Sequence, residues 1–226
     1  MYDLDIRLRP EGRNAPLVAD IGALRRYIGK RASLWERQSF TRMRFVCGDP
    51  HVRTQVENLV SAWVYTTGLP DRWTEIILDM RRRMEPRSQF RGSGPINLKR
   101  SAGGMVDIEF LAQMIQMKGG ARAIGLRAHT VREILAADPV SILRDDEREF
   151  LTDSYARFRE IEKTMRVTLE ERSAIIPEGD KLERLARCYD GSSAVSFLPW
   201  LTGCLSRVRA TFLEICSRLA ASSDNH

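Results

Sequence analysis

From Met105 to Lys118 the chain is apolar on nearly every helical face, through Val106, Ile108, Phe110, Leu111, Ala112, Met114, Ile115 and Met117. A helix with no polar side has to be enclosed on all sides. This one segment therefore predicts a helical bundle with Met105–Lys118 at its centre, and Ile108, Leu111 and Ile115 nearly inaccessible. The remaining sequence offers enough helices to surround it. Asp20 can cap a helix to about Lys30, with Ile21, Leu24 and Ile28 at helical spacing. Ser33 can cap another from Trp35 to Cys47, closed by Gly48. Asp49-Pro50 opens a third, with Pro in its first turn and Val52, Val56, Leu59, Val60 and Trp63 as its stripe. Asp71 starts a fourth, with Trp73, Ile76, Ile77, Met80 and Met84 inward and Arg81-Arg82-Arg83 at the end that favours cations. Further helices are expected near Thr130–Ala137, Asp145–Glu170, Lys181–Tyr189 and Ser193–Leu219. Arg87 to Pro95 is polar and Gly-rich and reads as a loop, and Ile96 to Lys99 as a short extended piece.

The N-terminal segment has a different period. From Tyr2 to Arg9, Asp3, Asp5, Arg7 and Arg9 fall on one face and Leu4, Ile6 and Leu8 on the other. This is the pattern of a strand buried on one side and ended by the Pro10-Glu11-Gly12 turn. A strand needs sheet partners, and Leu17-Val18 is the one nearby candidate. The expectation is that the other strands belong to sequence upstream, and that this chain is the C-terminal piece of a longer protein.

Composition narrows the function classes. With 226 residues, 43% hydrophobic and 29% charged, the chain is an ordinary globular one, not a disordered one. It has no apolar run long enough for a membrane span and no secretory signal. Cys47, Cys188, Cys204 and Cys216 show no metal-ligand spacing, and unclustered thiols suit a reducing cytoplasm. The net charge of +6 lies entirely in the first half, and Arg far outnumbers Lys. Most of these cations read as helix surface; a few near the N-terminus are candidates for phosphate.

Three segments concentrate chemistry. On the first strand, Asp3 and Asp5 beside Arg7 and Arg9 suit either Mg²⁺ with phosphate oxygens or a solvent-facing ladder of salt bridges. In Asn97-Leu98-Lys99-Arg100-Ser101-Ala102-Gly103-Gly104-Met105-Val106-Asp107-Ile108-Glu109-Phe110, the Gly pair lets backbone pass close to a ligand or to another helix. There Asp107 and Glu109 are either dipole caps or part of a helix start facing a nucleotide, with Lys99 near phosphate. In Trp35-Glu36-Arg37-Gln38-Ser39-Phe40-Thr41-Arg42-Met43-Arg44, Trp35, Arg42 and Arg44 are candidates to bind a nucleotide or a partner, but the segment reads mainly as a packing helix whose Glu36 pairs with a neighbouring Arg. His51 and His129 read as structural or surface residues.

Taken in order, these segments resemble one family. Tyr2-x-x-Asp5-x-Arg7-Leu8-Arg9-Pro10-x-Gly12, Trp35-Glu36-x-Gln38-x-x-x-Arg42-x-Arg44 with Gly48-Asp49, and Asn97-Leu98-Lys99 with Gly103-Gly104-x-x-Asp107-Ile108-Glu109-Phe110-x-x-Gln113 are similar to the signatures of glutamine synthetase adenylyltransferases. The resemblance implies a mainly α fold, with a residual N-terminal β strand or hairpin of a nucleotidyltransferase palm followed by a helical bundle. It divides the chain into the palm's end at 1–19, linking helices at 20–100 and a bundle at 101–226. It implies AMP transfer from ATP to a tyrosine of glutamine synthetase, in a cytoplasmic enzyme that also answers to the PII signalling protein and needs Mg²⁺. Nucleic acid and membrane are not expected as partners. By resemblance Asp5 is catalytic and, with Asp3, metal-binding, while Arg7, Arg9, Lys99, Gly103 and Gly104 face the nucleotide. The family's other two metal carboxylates and its triphosphate-seating Gly-Ser lie upstream, so the isolated chain is expected to be incomplete. Ala15 replaces the usual Gly of the loop after the strand. Val106-Asp107 favours the adenylylating half over the phosphorolytic, deadenylylating half, where Arg-Glu is more usual. A basic helical nucleic-acid-binding module is the alternative from another class.

Overall fold

A computed structural model describes residues 16–86, 94–123, 127–137 and 142–221. Well over half of the chain is helical, and the described residues contain no strand. The expected strand of Tyr2–Arg9 lies outside them, as do Asp3, Asp5, Arg7 and Arg9. The helices are α1 (Ile21–Lys30), α2 (Leu34–Phe40), α3 (Pro50–Ser61), α4 (Trp73–Met84), α5 (Met105–Gly119), α6 (Val131–Ala136), α7 (Asp145–Thr168), α8 (Gly179–Asp190) and α9 (Ala194–Ala221).

Helix α5 is the centre. Ile108, Leu111, Met114 and Ile115 are each 0% exposed. α2, α6, α7 and α9 all pack on it, as does a π-helical turn at Ala62–Thr66 that continues α3. Fully burying each such side chain contributes about 1.5–3 kcal/mol, so a polar substitution at Ile108, Leu111, Met114 or Ile115 would open the bundle on some side. α9 supplies the longest wall, through Phe197, Leu201, Leu205, Val208, Phe212 and Ile215.

Local chemistry sets the helix starts. Asp20 accepts from Ala23 N at 2.7 Å, Asp49 from His51 N and Val52 N, and Thr130 forms a capping box with Glu133. Several expectations are corrected. α2 stops at Phe40, not Cys47, because the chain tightens into i→i+3 bonds from Thr41, Arg42 and Met43 while the Thr41 hydroxyl also takes the Gln38 carbonyl. α4 starts at Trp73 after Arg72 in the left-handed conformation (φ 56°), so Asp71 does not cap it. Its inward face is Trp73, Ile77 and Arg81; Ile76 and Met84 point outward. Among the described residues Glu36 pairs with no Arg: it closes a capping box with Ser33 and accepts from the Tyr27 hydroxyl. Of the extended piece at Ile96–Lys99, Asn97 alone forms a β-bridge, to Ile175, flanked by Leu98 N to Ala174 O and Ile176 N to Ile96 O at 2.8 Å each.

The π turn has a visible support. Arg37 of α2 is buried, and its guanidinium donates to the carbonyls of Val64, Thr67 and Gly68. These are carbonyls that a helix end leaves without partners. Burial lowers the Arg37 pKa, and the bonds offset that desolvation.

Candidate functional site

The segment 97–104 is a compact turn held by its own side chains. Asn97 Oδ1 accepts from Lys99 N and Arg100 N at 3.1 and 3.0 Å, and Ser101 Oγ accepts from Asn97 N at 2.8 Å. Gly103 has φ +78°, and a Cβ there would sit 1.8 Å from the Leu205 carbonyl oxygen of α9. At Gly104 a Cβ would meet Leu98 O at 2.7 Å. Both glycines thus let backbone pass backbone where α5 begins, with α9 as the neighbour at Gly103.

Asp107 closes this turn from inside. It is 0% exposed, and its Oδ2 accepts from Gly103 N at 2.7 Å. Arg81 Nε reaches Oδ1 at 2.5 Å, while Arg81 Nη2 donates to the carbonyls of Arg100 and Ser101. Arg209 of α9 reaches Asp107 at 3.2 Å and Glu85 at 2.8 Å. Three helices, α4, α5 and α9, thus meet at one carboxylate, so Asp107 is far more than a surface dipole cap. Arg81 was legible in principle, since it follows Trp73 and Ile77 at spacings of four. Arg209 carried no local signal, being 102 residues from its partner.

Outside the hub, two of the singled-out sequence segments touch each other. Gln38 of α2 donates to Gln113 of α5 at 2.7 Å, within the core. Arg42 pairs with Glu109 at 3.3 Å, and the Tyr155 hydroxyl of α7 donates to the same carboxylate at 3.0 Å. Burial, the Glu109 charge and this hydrogen bond push the Tyr155 phenol up to about 12, so it remains a donor at neutral pH. The crevice beside Arg42, Glu109, Gln113 and His129 has a volume of about 10 Å³, room for a single water at most.

Lys99 leaves the turn on its outer side. Its Nζ lies 2.6 Å from Glu162 of α7, with Lys99 45% and Glu162 9% exposed. Arg159 and Arg166 approach the same carboxylate at 2.8 and 3.6 Å. Lys99, Gly103 and Gly104 therefore share one turn, with the glycines facing inward and the lysine outward. The sequence pattern did not single out Glu162; its sign is its place beside Phe158, Ile161 and Met165 on the inward side of α7.

Among the described residues no group of three or more His, Cys, Asp or Glu side chains can hold a metal ion, and no helix is long and apolar enough to cross a membrane. Asp107, Glu109 and Glu162 already bind guanidinium or ammonium groups, a donor set that does not suit Mg²⁺.

Comparison with known proteins adds a second line. Residues 1–59 match the family model described as glutamate-ammonia ligase adenylyltransferase, and residues 77–216 match the one described as GlnD PII-uridylyltransferase. The bifunctional glutamine synthetase adenylyltransferase/adenylyl-removing enzyme of Rhodopseudomonas palustris (strain ATCC BAA-98 / CGA009) is 29% identical, over 99% of this chain and 22% of its own length. That of Bradyrhizobium sp. (strain BTAi1 / ATCC BAA-1182) is 27% identical, over 95% of this chain and 22% of its own. That of Pseudomonas syringae pv. tomato (strain ATCC BAA-871 / DC3000) is 30% identical, over 70% of this chain and 18% of its own. The chain spans about a fifth of the length of these curated relatives.

Proposed function

Because the chain belongs to the glutamine synthetase adenylyltransferase family, we propose that it serves as the helical part of a nucleotidyltransferase that moves AMP from ATP to a tyrosine of glutamine synthetase. The observation that carries this reading is the meeting of the two family-like segments, Gln38 on Gln113 and Arg42 on Glu109. They are 75 and 67 residues apart in sequence. A module whose only task was to fill space would not require them to pair across α2 and α5.

In this reading the bundle fixes the end of the palm against the nucleotide. Asp5, with Asp3, would hold Mg²⁺, which when bound neutralises charge on the transferred phosphate. Arg7, Arg9 and Lys99 supply positive charge toward phosphate oxygens, as Arg and Lys do by fork and by point charge. Gly103 and Gly104 carry Lys99 on a rigid turn. The match of residues 77–216 to the family described as PII-uridylyltransferase supports the PII signalling protein as a regulatory partner. Val106-Asp107 supports the adenylylating over the deadenylylating half.

The test is AMP transfer by the full-length protein that carries this sequence, followed as labelled AMP on glutamine synthetase. Asp5→Asn is expected to lower turnover by several orders of magnitude with the melting temperature unchanged. Near-normal transfer by the variant refutes the role of Asp5.

A further inference from the structure

Among the described residues most exposed ion pairs are made by one cation and one acid a helical turn apart, as in Arg53–Glu57, Arg83–Asp79 and Arg187–Glu183. Where several cations meet elsewhere, acids match them. Arg81 and Arg209 share Asp107 and Glu85, and Arg144 and Arg218 share Glu147 and Glu214. The cluster on α7 is different. Glu162 uses both of its oxygens on three cations: Oε1 takes Lys99 at 2.6 Å and Arg166 at 3.6 Å, and Oε2 takes Arg159 at 2.8 Å.

The carboxylate itself is nearly buried at 9% exposure, whereas Lys99, Arg159 and Arg166 are 45%, 57% and 64% exposed. Glu162 thus anchors the cations from beneath and leaves their outer donors to solvent. Lys163, one turn after Arg159, adds another positive charge: among the described residues the hollow is lined by Arg159, Lys163 and Arg166 with Glu160 and Glu162, and Lys99 joins them through its contact with Glu162. The hollow measures about 450 Å³, and Arg166 also borders a second, of about 720 Å³, beside Glu170 and Arg172. Holding like charges this close is unfavourable unless opposite charge compensates it. Here the buried Glu162 and the rim Glu160 compensate only part. Guanidinium forks and a lysine ammonium in one concave surface have the chemistry of a site for phosphate oxygens.

We propose that Lys99, Arg159 and Arg166, gathered on Glu162, together with Lys163 beside them form a binding site for a di- or triphosphate group, either free pyrophosphate or the tail of a nucleotide. This deepens the adenylyl-transfer reading, because that reaction begins with a triphosphate and releases pyrophosphate. The site is built wholly from residues 99 and 159–166, and needs neither Asp3 nor Asp5. It also gives Lys99 a definite role: Glu162 holds the ammonium in place before the anion arrives.

The experiment is calorimetric titration of the chain with sodium pyrophosphate at low ionic strength without Mg²⁺. ATP is the nucleotide arm, and AMP and sulfate are the weak-anion controls. Saturable one-to-one binding of pyrophosphate or ATP is expected, with AMP and sulfate at least about tenfold weaker. Arg159→Gln and Arg166→Gln should each weaken binding by about tenfold or more, as expected for losing a charge-assisted phosphate contact, without lowering the melting temperature. Arg187→Gln, on α8, should leave it unchanged. Equal affinity for pyrophosphate and ATP assigns the site to the phosphates alone, and clearly tighter ATP assigns it to a nucleotide tail. Absence of saturable binding, binding indifferent to Arg159 and Arg166, or equal loss in Arg187→Gln overturns the proposal. Loss of AMP transfer in Asp5→Asn has no bearing on these titrations, so either reading can fail alone.

Discussion

Two carboxylates flank the turn at residues 97–104, and they use charge in opposite ways. Asp107 lies inside, 0% exposed, with Arg81 and Arg209 directed at it and Gly103 N–H completing its shell. Glu162 lies at the rim, with three cations whose far sides face water. At Asp107 opposite charges are matched and shut away, which fixes where α4, α5 and α9 meet. At Glu162 positive charge is in surplus and turned outward. The difference teaches that charged residues on one short turn can serve as internal mortar on one side and as a binding surface on the other.

The largest effect that separates the two belongs to Asp107→Asn. The sequence pattern alone suggested a dipole cap, worth a fraction of a kcal/mol. The buried network changes that expectation: removing the charge leaves Arg81 fully buried with two backbone carbonyls and, among the described residues, Glu85 as its one nearby carboxylate, and breaking a buried pair costs about 3–5 kcal/mol. Urea unfolding should record that loss with an unchanged slope. A loss under 1 kcal/mol would mean that the hub does not lock the turn.

A smaller effect is expected at Glu147, where matched charge also closes a helix junction. Burial opposes its ionisation, but hydrogen bonds from Arg218 and from Arg144 N, with the charges of both arginines, outweigh burial and hold its pKa below the usual 4.5. A carboxylate with a depressed folded-state pKa contributes stability that is complete above its unfolded value and is lost as pH falls through the folded value. Glu147→Gln should therefore cost about 2 kcal/mol near neutrality, as for a hydrogen bond between charged groups. The gap to the native chain should close in melts taken progressively below pH 4.5. A gap that stays constant down to that acid range would show that Glu147 acts through shape and not through charge.

The sequence displayed the bundle well and the site unevenly. The all-round apolar run from Met105 could only be a central helix, and the caps at Asp20, Asp49 and Thr130 are written in single residues. Gly103-Gly104 was legible as a close approach, though not as an approach to Leu205 O, which comes from a segment about a hundred residues later. The π turn at Ala62–Thr66 breaks the 3.6-residue period that a pattern search relies on, and it depends on Arg37 reaching across from α2. The two charge clusters were hidden for a related reason. Alternating Arg and Glu along α7 looks like any solvated helix, and nothing local marks Glu162 as the residue on which Lys99 lands. Tertiary placement, not composition, separates the carboxylate with too many cations from those with enough.

Unfolding of Lys99→Ala beside the native chain tests this contrast most directly. If Glu162 has cations to spare, Arg159 and Arg166 still satisfy it when Lys99 is gone, and this pair, with its lysine half-exposed, contributes at most about 1 kcal/mol. The expected result is a stability within about 0.5 kcal/mol of the native chain, together with weakened pyrophosphate binding. A loss approaching that of Asp107→Asn, with pyrophosphate binding intact, would contradict the account and make Lys99 part of the same internal mortar.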